Sequence, residues 1–270
     1  RVCTYKERYK EINETNNKLI WGILSLLLLS AAVIRYFYRL DARMSFAVDE
    51  PQTFATAVGY LKTGTFYEWD FWNNKISDVE YYGLVPYIKI LALWMKVFGI
   101  SLVSARCLSA VFGCLFILSC IYIIKRLFNR IDITVISTIF ILMHPEITYW
   151  FRFIRMYAML MLCSIWFAYF AYMALTKGNH FKGNNIFVKF IEKNLNFNFI
   201  YAALALGACY LASRLQEIQM VMCGGMALFA FYKAISCKER KYKNVVWIGI
   251  IGIFLGVVGF VFSGIFDIFP

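Results

Sequence analysis

LIWGILSLLLLSAAVI, Leu19 to Ile34, carries no charge and is followed by Arg35 and Tyr36. A bilayer core about 30 Å thick takes about 20 apolar residues of helix, so the run from about Leu19 to Tyr36 is expected to cross a membrane. Before it stands RVCTYKERYKEINETNNK, polar and basic. No small-residue cleavage site follows the run, so the pair reads as a signal anchor with its N-terminal end in the cytoplasm.

Composition supports the same class. With 61% hydrophobic and 19% aromatic residues, the chain has more apolar surface than one soluble core of this length can bury. Strand-type alternation is absent, which favours a helical bundle over a barrel. The formal charge of +12 suggests nucleic acid in a soluble protein, but here Lys and Arg collect in short loops. That pattern sets orientation in a membrane and implies no nucleic-acid partner. Of eight cysteines, Cys107, Cys114, Cys120, Cys163, Cys209 and Cys223 lie inside apolar runs, where they read as small packing residues. No CxxC pair accompanies the two histidines, and no metal site is predicted.

Working outward, residues 1–18 form a cytoplasmic segment and 19–263 a transmembrane module, with a first extracytoplasmic loop at 37–102 and an outer end at 264–270 expected to lead into further C-terminal parts. The first loop is rich in carboxylates: Asp41, Asp49, Glu50, Glu68, Asp70, Asp78 and Glu80. Within it, PYIKILALWMKVFG places Ile88, Leu91, Ala92 and Met95 on one helical face, with Lys89 and Lys96 on another. It is too short to span and should lie along the interface. Further spans are expected at about Val103–Ile124, from Asp132 to near His144, and at about Met156–Leu175, Phe197–Ala212, Met220–Ile235 and Val245–Phe262. The second has a small-residue face of Ser104, Ala105, Ser109, Ala110 and Gly113, suited to close packing. Seven spans with the N-terminus inside put KRLFNR, KGNHFKGNNIFVKFIEKN and KERKYKN all in the cytoplasm.

The same topology gathers charge on one side. Asp49, Glu50, Glu80, His144, Glu146, Arg152, Arg155, Arg214 and Glu217 fall at outer span ends or in outer loops, where a polar cavity would offset the cost of ionisable groups near lipid. Val48-Asp49-Glu50-Pro51 also reads as a helix start, with Asp as cap and Pro in the first turn. Arg152 and Arg155 are three apart and, on a helix, share a face that can clamp one anion. Guanidinium forks suit the phosphate of a lipid. Arg106 reads as an interface anchor, and Arg214 and Glu217, also three apart, can pair with each other. In this constellation Asp49 suits a general base that removes a proton from an acceptor hydroxyl, with the Arg pair stabilising a leaving phosphate and Glu50 holding Asp49 or the acceptor in place. Such chemistry needs no nucleotide and no bound metal, and leaves the use of a divalent ion open.

The order of these pieces resembles membrane glycosyltransferases of the GT-C fold, in the branch of dolichyl-phosphate-mannose protein mannosyltransferases and lipid A aminoarabinose transferases. The pieces are Asp49-Glu50 after the first span, the segment Ala55 to Gly64, PYIKILALWMKVFGISLVSARCLSAVFG, and HPEITYWFRFIRMYAML, covering about Ser45 to Leu162. The resemblance implies a polyprenyl-phosphate sugar donor, inverting transfer on the extracytoplasmic face, two interfacial helices in the first loop, Asp49 as the catalytic base, and outer basic residues on the donor phosphate. It departs from the aminoarabinose branch at Leu84-Val85-Pro86, where that branch carries Glu-Lys-Pro. The expectation is therefore an all-α, multi-pass membrane glycosyltransferase of the cell envelope, in the plasma membrane if prokaryotic, with lipid bilayer, donor lipid and an acceptor of open identity as partners. Arg152 and Arg155 bind the donor phosphate; Glu80, His144, Glu146, Arg214 and Glu217 are further substrate-binding candidates. A transporter or flippase of lipid-linked glycans is the alternative, and it should carry ionisable residues near mid-span.

Overall fold

The computed structural model describes residues 2–41, 49–81, 84–177 and 198–236, with 186 and 189 singly. The chain divides into two units, Arg1–Leu162 and Cys163–Pro270.

In the first unit, α1 (Val2–Phe37) carries the opening apolar run. It packs on α4 (Leu102–Phe128) and α5 (Ile131–Met143), and these two pack on each other. Leu28, Ala32 and Tyr36 of α1 meet Ala110, Ile117 and Ile121 of α4, Leu142 of α5, and Phe151 beyond. The small-residue face works as expected, for Ser104, Ala105, Ser109, Ala110 and Gly113 are all buried. At Gly113 a Cβ would stand 2.7 Å from the Phe151 ring, so the missing side chain makes room for an aromatic that is itself fully buried. Ser101 caps α4, accepting from the Ser104 amide at 3.1 Å, and Asn129 in the left-handed region, φ 50°, ends it.

Between α1 and α4 lie α2 (Asp49–Thr63), strands β1 (Tyr67–Asp70) and β2 (Lys75–Glu80), and α3 (Val85–Phe98). Two helices, α2 and α3, lie in this stretch, and on α3 the anticipated face is the buried one: Ile88, Leu91, Ala92 and Met95 are buried while Lys89 and Lys96 are exposed. The antiparallel hairpin corrects the expectation of no strands. Its register pairs Tyr67 with Glu80, Trp69 with Ile76 and Asp70 with Lys75, with a shift between Tyr67 and Trp69. Asp70 closes its tip by accepting from the amides of Trp72 (2.9 Å) and Asn73 (3.2 Å) and from Asn73 Nδ2 (2.6 Å). These bonds draw its carboxyl below the ordinary aspartate range, the Asn73 side chain contributing most. Strands this short, with no clean alternation, give no periodic signal; the turn chemistry at Asp70-Phe-Trp-Asn is what marks them. Gly59 lets α2 approach β1, since a Cβ there would collide with the Tyr67 carbonyl.

After α5 the chain breaks at His144, which is extended as the residue before Pro145 must be. A short helix follows, α6 (Pro145–Trp150), then an irregular turn through residues 151–156, and α7 (Tyr157–Thr176). The unit boundary falls inside α7. In the second unit, α8 (Phe199–Ser213) packs on α9 (Gln219–Ser236), and Asn198 caps α8 by accepting from the Tyr201 amide at 3.3 Å.

Among the described residues three helical segments are long and apolar enough to cross a membrane: Leu19–Phe37, Leu102–Phe128 and Tyr157–Thr176. They coincide with the first, second and fourth expected spans. The third, fifth and sixth correspond to shorter apolar helices, Ile131–Met143, Phe199–Ser213 and Gln219–Tyr232. The seventh, Val245–Phe262, lies outside the described residues.

Candidate active site

Two carboxylates from the start of α2 meet two arginines from different elements of the first unit. Arg106, in the second turn of α4, grips Glu50 with both arms of its fork: Nε donates to Oε1 at 3.1 Å and Nη2 to Oε2 at 2.9 Å. Its third arm, Nη1, donates to the Leu40 carbonyl at 3.0 Å. Glu50 Oε1 also accepts from the Ile154 amide at 3.0 Å. The Glu50 side chain is 0% exposed and that of Arg106 4%. Charges removed from water to this extent need such saturation, because desolvation costs several kcal/mol per ion. One buried carboxylate thus ties α2 to α4 and to the turn before α7, and through Arg106 to the segment after α1.

Asp49, the neighbouring residue, faces another way. Its Oδ2 lies 2.5 Å from Arg155 Nη2, and its side chain is 50% exposed against 10% for Arg155. Arg155 Nη1 donates to the Tyr81 hydroxyl at 3.2 Å, while its Nε is buried without a partner. The turn that carries Arg155 is held from beneath: Ser109 Oγ donates to the Phe153 carbonyl at 2.6 Å, and the fully buried Tyr87 hydroxyl lies 3.1 Å from Ser109 Oγ. Burial raises the Tyr87 phenol above its ordinary value, so it stays protonated and can donate.

Three expectations change here. Arg106 is the buried partner of Glu50, not an interface anchor; a charge inside an apolar helix forces a partner of opposite sign. Glu50 touches neither Asp49's carboxylate nor open space, so it cannot hold an acceptor, and it fixes Asp49 only through the backbone they share. Arg152 and Arg155 stand on an irregular turn, not on one helix face. Arg155 serves Asp49, whereas Arg152 Nη2 donates to the carbonyls of Tyr38 (2.7 Å) and Arg39 (3.0 Å) with Nε buried and unpartnered. Burial first, and then the charges of Arg106 and Arg35, lower the Arg152 guanidinium below its ordinary value.

The remaining candidates fall elsewhere. Glu80 stands opposite Tyr67 across the hairpin, where its carboxylate raises the Tyr67 phenol above its ordinary value, and is followed by Tyr81 of the Arg155 shell. His144 and Glu146 are exposed at the break between α5 and α6. Arg214 and Glu217 are exposed in the second unit and form no ion pair with each other. Tyr81 and the Leu40 and Ile154 backbone groups gave no signal in the sequence; Arg106 did, as a lone charge among small residues. Among the described residues no group of three or more His, Cys, Asp or Glu is gathered.

A groove of about 610 Å³ is lined by Pro51, Gln52, Phe54 and Ala55 of α2, Glu68 and Phe71 of the hairpin region, and Leu102, and does not include Asp49. Phe71 stacks on Phe54 with ring centroids 5.7 Å apart. No family model matches this chain, and no curated protein matches it. The likeness to GT-C glycosyltransferases therefore rests on the residues themselves.

Proposed function

We propose that this chain is a seven-span membrane glycosyltransferase, transferring a sugar with inversion from a polyprenyl-phosphate donor to an acceptor hydroxyl on the extracytoplasmic face. One observation carries the proposal: the half-exposed Asp49 carboxylate, backed by Arg155 at 2.5 Å, stands one residue from a carboxylate that is locked in place. A base must present an oxygen to substrate from a fixed backbone, and Asp49 meets both conditions. For the span count, α5 and α6 run consecutively over 131–150 with one break, and a count of seven would put the three basic loops on one side.

In the proposed reaction Asp49 takes the proton of the acceptor hydroxyl as its oxygen attacks the anomeric carbon. The bond from that carbon to the phosphate oxygen breaks, and its electron pair leaves with the polyprenyl phosphate. Arg155, held by Asp49 and Tyr81 in the resting site, and Arg152, held only by carbonyls, offer the charge that the leaving phosphate needs. Asp49 and Glu50 balance two of the three cations Arg106, Arg152 and Arg155, leaving an excess of one positive charge for an anion. The alternative, a transporter of lipid-linked glycans, gains less support, because the charge inside α4 sits in its second turn and is fully engaged by Glu50.

Membranes containing the protein, supplied with a labelled polyprenyl-phosphate sugar, should transfer label to an acceptor with release of polyprenyl phosphate. Label that crosses the bilayer still attached to its phosphate would favour the transporter, and absence of both would sink the proposal.

A further inference from the structure

The exposed flanks of α1 and α5 leave a groove of about 450 Å³ whose walls are aliphatic, including Leu24, Leu27, Ala31, Ile139 and Met143, with Arg35 as its one charged residue. From Leu24 to Arg35 is eleven residues of helix, about 16 Å at a rise of 1.5 Å per residue. That is close to the roughly 15 Å that one leaflet contributes to a core of about 30 Å. α1 is one of the helices long and apolar enough to cross the bilayer, so the groove faces hydrocarbon and its charged end lies where headgroups begin.

Among the described residues no carboxylate pairs with the charge at that end. Arg35 is exposed, and its Nε and Nη2 donate to neutral oxygens, Thr148 Oγ1 at 2.9 Å and the Met143 carbonyl at 3.5 Å. The ion pairs of the described residues use Arg106, Arg130 and Arg155, and leave Arg35 out. A cation at the mouth of a leaflet-deep aliphatic slot calls for an anion carried on a hydrocarbon chain.

We propose that this groove binds a glycerophospholipid with a net negative headgroup, one acyl chain lying between α1 and α5 and the phosphate against Arg35. An acyl chain ends within its own leaflet, as the groove does, whereas a polyprenyl chain would overrun it. The site is thus separate from the donor's, and it does not depend on sugar transfer.

Native mass spectrometry of the purified protein with added phosphatidylglycerol, phosphatidylethanolamine or undecaprenyl phosphate tests this by lipid retention alone. Wild type should keep phosphatidylglycerol over phosphatidylethanolamine by about fivefold. Arg35→Gln should bring the two near parity and Arg35→Lys should keep most of the preference. Ala31→Trp, which fills the slot without changing charge, should lower retention of both lipids at an unchanged thermal midpoint. Equal retention of the two lipids by wild type, or an undiminished preference in Arg35→Gln, would overturn the proposal. So would undecaprenyl phosphate displacing phosphatidylglycerol in an Arg35-dependent way, which would give the groove to that lipid.

Discussion

Arg106 and Glu50, 56 residues apart in the chain, form a two-armed ion pair at 3.1 and 2.9 Å that is sealed from solvent. Removing one partner strands the other as a buried charge, which costs about 3 to 5 kcal/mol, whereas replacing both by apolar groups of similar volume can be near neutral. Arg106→Met and Glu50→Leu should therefore each lower the thermal midpoint strongly, and the double variant should lose less than the sum of the two. Additive losses would show that the pair does not act as a unit.

Gly113 lies under the Phe151 ring with no space for a methyl group, the nearest ring atom being 2.7 Å from where a Cβ would stand. Gly113→Ala is expected to destabilise by about 1 to 3 kcal/mol through overpacking. Phe151→Leu should recover part of that loss in the Gly113→Ala background. Thermal unfolding of the four proteins provides the check.

Asp70 holds the hairpin tip, and its folded-state carboxyl titrates below the ordinary aspartate value because Asn73 and Trp72 donate to its charged form. A carboxylate lowered in this way contributes order at pH values above its unfolded value of about 3.9, and that contribution is lost as pH falls through the folded value. Emission from Trp72, which is 98% exposed at the tip, read as the difference between the protein and its Trp72→Phe variant, should change on acidification below about pH 4. Asp70→Asn should shift that transition or abolish it; an unchanged acid profile would remove Asp70 from the tip's order.

Topology has its own test. Cysteine placed at Asn73 should react with a membrane-impermeant maleimide added outside, and cysteine at Asn184 should react only after permeabilisation. The reverse pattern would invert every loop and move Asp49 to the cytoplasmic side.

How far the chain announced this arrangement differs from element to element. Long apolar runs and small-residue spacing made α1, α4 and α7 legible, and the face of α3 could be named residue by residue, because helical periodicity is a local property. The hairpin was not legible: its strands are 4 and 6 residues long, and their burial follows packing on α2. Asp49, Glu50 and Arg155 were singled out by residue type and position, yet who pairs with whom was not. Pairing depends on where the turn at 151–156 bends, and that bend is set by buried contacts with Ser109 and Glu50 from distant segments. Arg106 shows the limit best, since its charge in an apolar helix demanded a partner while nothing local could say it was Glu50.

Asp49 is the residue on which the proposed chemistry turns. Transfer of labelled sugar from a polyprenyl-phosphate donor should be compared between wild type and Asp49→Asn, a change that keeps size and removes the base. The expected result is a fall of about a hundredfold or more in transfer rate, with donor binding and thermal midpoint retained. Wild-type transfer by Asp49→Asn would contradict the role assigned to this carboxylate.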